Sequence, residues 1–393
     1  MKTIIAAVVA FMFITSIAGA QSGIKVVLQS IEAENLTLKA ERELMIANVE
    51  TFRTGYYPSN PEVSYSLLFG ENAVAGDKEE FGVSQSFEFP TVYFNKLELA
   101  NKQQALVGTE FNDFRRNILY KAQGLCYRII HTNQTNNELA RRLRIAEDIR
   151  AAFDTKYKTG DIGVIELNKS DMNLLKAQTE FDLNAIERAK LLTNLRAMNG
   201  GKAIELPDTV FPKRVVEVFV DQAFGKSSKY NPYLKQLRAE IEVSRVQADV
   251  TSSSSYPKIN LGYRNLNEGG FNFNGFAAGI SIPLYENINK TDAAELQVKA
   301  AEIKLESYLS EYETEMKAAY ETVRSHSKSV KKVREMFGAV DNTELLRQSL
   351  ELGNISTLEY FLELEYYSDM KDRFLDLELE FNLALGELFK YEL

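Results

Sequence analysis

Residues 81–90, Phe81-Gly82-Val83-Ser84-Gln85-Ser86-Phe87-Glu88-Phe89-Pro90, end one kind of pattern and begin another. Phe81, Val83, Phe87 and Phe89 alternate with small or polar residues, the period of a strand with one apolar face. Proline then appears, and none follows until Pro207. Proline is costly inside a helix, so a long proline-free stretch rich in Ala, Leu, Glu and Lys predicts a very long helix. Phe111, Phe114, Ile118, Ala122, Leu125 and Ile129 step by three or four, as a helix with one buried stripe requires. A helix over 92–157 is on the order of 100 Å long, which no compact globular domain needs.

The same order recurs downstream. Residues 284–393 also lack proline, and Ala301, Leu305, Tyr308, Tyr312, Met316 and Ala319 repeat the helical step. Ahead of them Ile259, Leu261 and Tyr263 alternate, then Ala278, Ile280, Ile282 and Leu284. Each long stretch breaks at a glycine, in Thr159-Gly160-Asp161-Ile162-Gly163 and in Leu352-Gly353-Asn354-Ile355-Ser356. A glycine can take the left-handed helix cap, and Ser356 with Glu359 spells a capping box for the next helix.

With an offset of about 193 residues, Pro90 aligns with Pro283, Gly160 with Gly353, Ile162 with Ile355 and Glu166 with Glu359. The chain thus reads as mainly α with membrane β, a duplicated helix–two strands–long helix–turn–helix unit. The first repeat covers 21–200, with strands over 62–70 and 80–89, a long helix over 92–157 and a return helix over 163–199. A connector follows over 201–230. The second repeat covers 231–393, with strands over 257–265 and 275–284, a long helix over 286–351 and a return helix over 356–391. Segments 71–80 and 265–275 read as Gly/Asn-rich hairpin loops, and Pro90 and Pro283 as matched strand-to-helix junctions. Four strands cannot close a membrane barrel, so their edges would pair between subunits.

Met1 and Lys2, the apolar run Ile4 to Ile17 and Ala18-Gly19-Ala20 predict a signal peptide over 1–20. Gln21, and not cysteine, follows it, so no lipid anchor is expected. Without Lys2 the formal charge goes from -9 to -10, which argues against nucleic acid as a partner. Cys126 stands alone at helical spacing among apolar residues, the pattern of a small buried hydrophobe. Two histidines, no tryptophan, and no phosphate loop, triad or metal-spaced cluster lead to the expectation of no enzyme, metal or cofactor.

With its Ser84–Pro90 stretch, Gly279-Ile280-Ser281-Ile282-Pro283-Leu284 and two glycine-centred turns, the sequence resembles the TolC-like outer-membrane efflux proteins, and within them the heavy-metal and drug branch. The resemblance implies a homotrimer forming a 12-stranded barrel in the Gram-negative outer membrane, carried on a periplasmic α-helical barrel. It implies a passive exit duct for small molecules or metal cations, with a periplasmic adaptor (membrane fusion protein) and an inner-membrane pump as partners. Type I protein secretion is the alternative cargo, and a periplasmic coiled-coil adaptor or scaffold the alternative class. Gly160, Asp161, Ile162, Gly353, Asn354 and Ile355 would be adaptor-docking tips. Glu166 and Glu359 would lie at the inner constriction, or would only favour helix N-termini. Tyr56, Tyr57, Tyr65, Phe69, Phe87, Phe89, Tyr256, Tyr263 and Tyr285 would supply an interfacial girdle.

Overall fold

The computed structural model describes residues 23–70, 76–212, 225, 228–339 and 342–393; the expected signal peptide lies outside them. Two helices lead in, α1 (Gly23–Glu34) and α2 (Leu36–Thr54), followed by strands β1 (Glu62–Leu68) and β2 (Lys78–Phe87). Helix α3 (Pro90–Thr159) then runs unbroken for 70 residues, about 105 Å at 1.5 Å per residue. Pro90 occupies its first turn, where a missing N–H costs nothing, and Phe89 before it is extended. Helix α4 (Val164–Met198) returns beside it. After the connector come α5 (Pro232–Ser253), β3 (Lys258–Glu268), β4 (Phe271–Ser281), α6 (Lys290–Ala339), α7 (Asn342–Glu351) and α8 (Thr357–Leu388). A short 3-10 turn, Lys390–Glu392, ends the chain.

The helices form a rod with its apolar contacts in separate clusters along the length. Near the sheet, Leu99 of α3 packs on Val246 and Val250 of α5. Mid-rod, Ile24, Val27 and Ile31 of α1 meet Ala122, Cys126, Ile129 and Ile130 of α3 and Leu191 and Leu195 of α4. Cys126 is fully buried there, and burial pushes its thiol up to about 12, which leaves it an inert packing group. In the second half Leu234 of α5 meets Tyr312, Met316 and Val323 of α6 and Leu385 and Leu388 of α8. Side-chain ties hold the middle together. Asn35 Nδ2 donates to the Met198 carbonyl at 2.7 Å while its Oδ1 caps α2 by accepting from Leu38 N. Arg115 grips Glu32 through Nε at 2.6 Å and Nη2 at 2.8 Å, and its Nη1 donates to the Leu393 carbonyl at 3.2 Å.

The four strands make one antiparallel sheet in the order β1-β2-β3-β4, leaving β1 and β4 as its edges. Among the described residues no helix packs across either face, and every residue of β1 is exposed. Among the described residues no helix is long and apolar enough to cross a membrane.

Two expectations are corrected. The supposed loop over 265–275 is mostly strand, because β3 continues to Glu268, β4 starts at Phe271, and Gly269-Gly270 alone turns the chain. Both glycines have positive φ, 58° and 85°, the backbone that a two-residue hairpin twisted like its strands demands. Asparagine is poor in strands, but Asn265, Asn267, Asn272 and Asn274 share one face, and Asn265 Nδ2 donates to Asn272 Oδ1 at 2.8 Å and to Asn274 Oδ1. The supposed first loop also gives up Lys78–Glu80 to β2, while 71–75 lie outside the described residues.

The junctions at Pro90 and Pro283 are not equivalent. β4 stops at Ser281, and the chain turns through Pro283 before α6 starts at Lys290, not 286. Asn289 takes a left-handed φ of 64° and Asn287 donates to the Ser254 carbonyl at 2.9 Å, so the turn is held from outside and ends in a conformation that stops helix propagation. Of the long helix expected to run to 351, α6 to Ala339 and α7 from Asn342 are described, and 340–341 lie outside the described residues.

Candidate functional site: the helical tips and the two-faced sheet

The two glycine turns close their helices with the same hydrogen bonds. Gly160 (φ 83°) donates to Tyr157 O at 3.1 Å, and Asp161 N donates to Lys156 O at 2.8 Å. Gly353 (φ 74°) donates to Leu350 O at 3.1 Å, and Asn354 N to Ser349 O at 2.9 Å. These paired bonds define a Schellman cap, which satisfies two carbonyls that a helix end otherwise leaves open. Beyond each cap an isoleucine folds inward. Ile162 and Ile355 both pack on one cluster built on Ile149, Phe153 and Tyr360, so the structure brings the two turns to one end of the rod. Asp161 and Asn354 stay exposed.

Glu359 lies at the third position of α8 and its carboxylate accepts from Ser356 N at 2.8 Å, while Ser356 Oγ accepts from Glu359 N at 3.2 Å. The backbone N–H of Ser356 holds this carboxyl below the usual range, with the serine hydroxyl adding to it. Glu166 sits at the matching place in α4, half-buried, after a Gly163 cap that has no side chain to complete the box. Tyr360 is 0% exposed, and burial pushes its phenol up to about 12.

Above the tips a groove of about 650 Å³ runs between α4 and α8 over α3. Met172, Leu358 and Leu362 expose apolar surface along it, and Lys176 crosses it to Glu365 at 3.1 Å. On its floor Arg142 ties the two hairpins. Its Nη1 and Nη2 reach Asp372 at 2.9 and 2.8 Å, Nη2 also donates to Ser368 O at 3.1 Å, and Nε donates to Glu138 at 3.0 Å. Glu138 also accepts from Arg141 at 2.7 Å; burial raises its pKa, and the two guanidiniums outweigh that and hold it below the ordinary 4.5. The ties from Arg142 to Asp372 and Ser368 are not visible in the sequence, since they join residues 230 and 226 positions apart whose only local mark is charge or polarity.

At the other end the strand register sorts side chains onto two faces. One face carries Val63, Val83, Tyr263 and Phe276 in a single row, with Phe87, Ile259 and Ile280 in another. The opposite face carries Ser64, Ser84, Ser86 and Asn260, and two ion pairs, Lys78–Glu268 at 2.7 Å and Arg264–Glu80 at 3.4 Å. A sheet in water buries its apolar face, yet here Val63, Phe276 and Ile280 are 66%, 93% and 70% exposed. Where sheet meets rod, aromatic rings gather, Phe89 against Tyr256 at 5.1 Å and Tyr56 against Tyr57 at 4.8 Å.

No protein-family model and no curated protein matches the sequence. Solved structures do match across nearly the whole chain. A structure of CusC, described in terms of folding and transmembrane channel formation, is 15% identical with a TM-score of 0.78, covering 94% of this chain and 91% of its own. The Campylobacter jejuni CmeC outer membrane channel is 14% identical with a TM-score of 0.74, covering 94% and 85%. The Neisseria gonorrhoeae MtrE outer membrane channel in its open state is 12% identical with a TM-score of 0.68, covering 94% and 88%. The chain has the fold of the TolC-like outer-membrane channels.

Proposed function

We propose that the chain is an outer-membrane exit duct of an efflux system, working as a homotrimer. The observation that carries this reading is the uncovered sheet with one apolar and one polar face and two open edges. Backbone groups at a sheet edge must pair wherever water is absent, and only closure into a barrel leaves no edge. Four strands from each of three copies give an even-numbered barrel, with the Val63–Phe276 face toward lipid and the serine-lined face toward the lumen. Phe89, Tyr256, Tyr56 and Tyr57 then fall where an interfacial aromatic belt belongs.

The rod of about 105 Å carries the tips across the periplasm toward an adaptor and an inner-membrane pump. Gly160, Asp161, Ile162, Gly353, Asn354 and Ile355 form the docking end, since the Schellman caps fix the backbone and leave Asp161 and Asn354 outward. Glu166 and Glu359 lie just inside it, and a ring of three Glu359 carboxylates would favour cations at the constriction. Cargo choice belongs to the pump. Extraction from outer membranes, native sizing and planar-bilayer recording test the reading. A trimer with steady conductance is expected, and a soluble monomer without channel activity overturns it.

A further inference from the structure

The β2–β3 and β3–β4 registers run without a bulge from end to end, so side-chain parity is fixed over the whole sheet. Toward the Gly269-Gly270 turn, however, the chemistry of β3 and β4 changes sides. On the apolar face the Tyr263–Phe276 pair is followed on β3 and β4 by Asn265–Asn274 and then Asn267–Asn272, with Asn265 bonding both Asn272 and Asn274, whereas β2 and β1 keep Phe81, Tyr65 and Leu67 in the same rows. On the polar face, at the same height, Leu266 pairs with Phe273, and Phe271 stands opposite Glu268 in the row that includes Leu68 of β1. Phe271 and Phe273 are 72% and 58% exposed. The charges among them are already matched, Lys78 with Glu268 and Glu80 with Arg264, so they add no net field. A strand slip would move every residue and cannot account for an exchange confined to one end.

The geometry points to an apolar collar of Phe271 and Phe273, flanked by Leu266 and Leu68, that lines the duct at its outer mouth and passes solutes bearing apolar or aromatic groups in preference to small hydrated ions. The collar rests on the duct reading, in which the polar face is the lumen. On that reading the hydrocarbon boundary on β3 and β4 falls just beyond the Tyr263–Phe276 row, because asparagines suit headgroups and water better than acyl chains, while Phe81 and Tyr65 carry the apolar face one row further on β2 and β1. Three copies then place six phenyl rings in the lumen. Phenyl rings set between the Lys78–Glu268 and Arg264–Glu80 ion pairs take up lining that hydrated ions would otherwise contact, while an apolar solute gains contact there.

The chain holds no tryptophan, so single indoles report each face without background. F276W and F273W trimers in vesicles are tested with brominated acyl chains as the lipid-phase quencher and acrylamide as the aqueous one. The F276W indole should be quenched by bromine and the F273W indole by acrylamide. Bromine quenching of both, in vesicles that still conduct, overturns the collar and leaves the duct. No bromine quenching of either and no conductance overturns the duct and the collar with it. In bilayers the F271S/F273S variant should raise small-ion conductance roughly twofold or more, as replacing the apolar lining by a polar one requires. Unchanged conductance overturns the collar.

Discussion

Replacing Arg142 should loosen α8 from α3 without unfolding the rod. Its guanidinium forks onto Asp372 at 2.8 and 2.9 Å, and both Arg142 and Glu138 have side chains 10% exposed while Asp372 is 48% exposed. Unit charges at about 4 Å interact by roughly 4 kcal/mol near a protein surface, and solvent at Asp372 cuts this further. The fork adds orientation that a point charge lacks, so a coupling of about 1–2 kcal/mol is expected between R142M and D372N in a double-mutant cycle. R142M alone should cost more, about 2–3 kcal/mol, because it also strips one partner from the sheltered Glu138 carboxylate. Chemical denaturation of the detergent-solubilised protein gives the cycle, and amide exchange along α8 locates the loss. Faster exchange near Ser368 with unchanged protection in α1 is the expected result. A coupling below about 0.3 kcal/mol would refute the tie as a structural element.

Gly160→Ala and Gly353→Ala should each cost about 1–2 kcal/mol in thermal unfolding, since φ of 83° and 74° is left-handed. Gly108→Ala, inside α3 with open space around it, should gain about 0.5–1 kcal/mol in the same assay. Tyr360→Phe should leave stability unchanged or raise it by about 1 kcal/mol, because the buried hydroxyl has no hydrogen-bond partner among the described residues; a clear loss on denaturation would expose a missed partner. His131, 3.1 Å from Asp376, has its pKa held below 6.5 by burial, with the Asp376 charge opposing. The unfolded chain therefore takes up a proton first, and this contribution is lost as pH falls from about 6.5 through the lowered folded value. His131→Gln should flatten the stability-against-pH curve in that window, and an unaltered slope would count against the assignment.

Much of the fold is legible because its strongest signals are local. Pro90 suits only a first helical turn, and Gly160 and Gly353 sit where the helical stripe breaks and take left-handed φ, so the Pro90–Gly160 spacing brackets α3. The apolar alternation of Val63 and Tyr65 or Phe81 and Val83 likewise follows from parity. Other features depend on partners distant in sequence. Asn265 and Asn274 resemble loop residues until they stand side by side across two strands. The turn after Pro283 is held by the Ser254 carbonyl, which no neighbour of Pro283 announces. The tips at Gly160 and Gly353 were evident one at a time, but their meeting through Ile162 and Ile355 is a property of the packed rod.

A helix of 70 residues is also a lever arm. One degree of tilt where α3 leaves the sheet displaces its far end by roughly 2 Å over about 105 Å, enough to break a hydrogen bond. Aim at the tip is therefore set by bracing at mid-length, where Asn35 holds Met198 and Arg115 holds both Glu32 and the last residue of the chain. A change at those braces, half a rod away, would be felt as a shift in where the tips point.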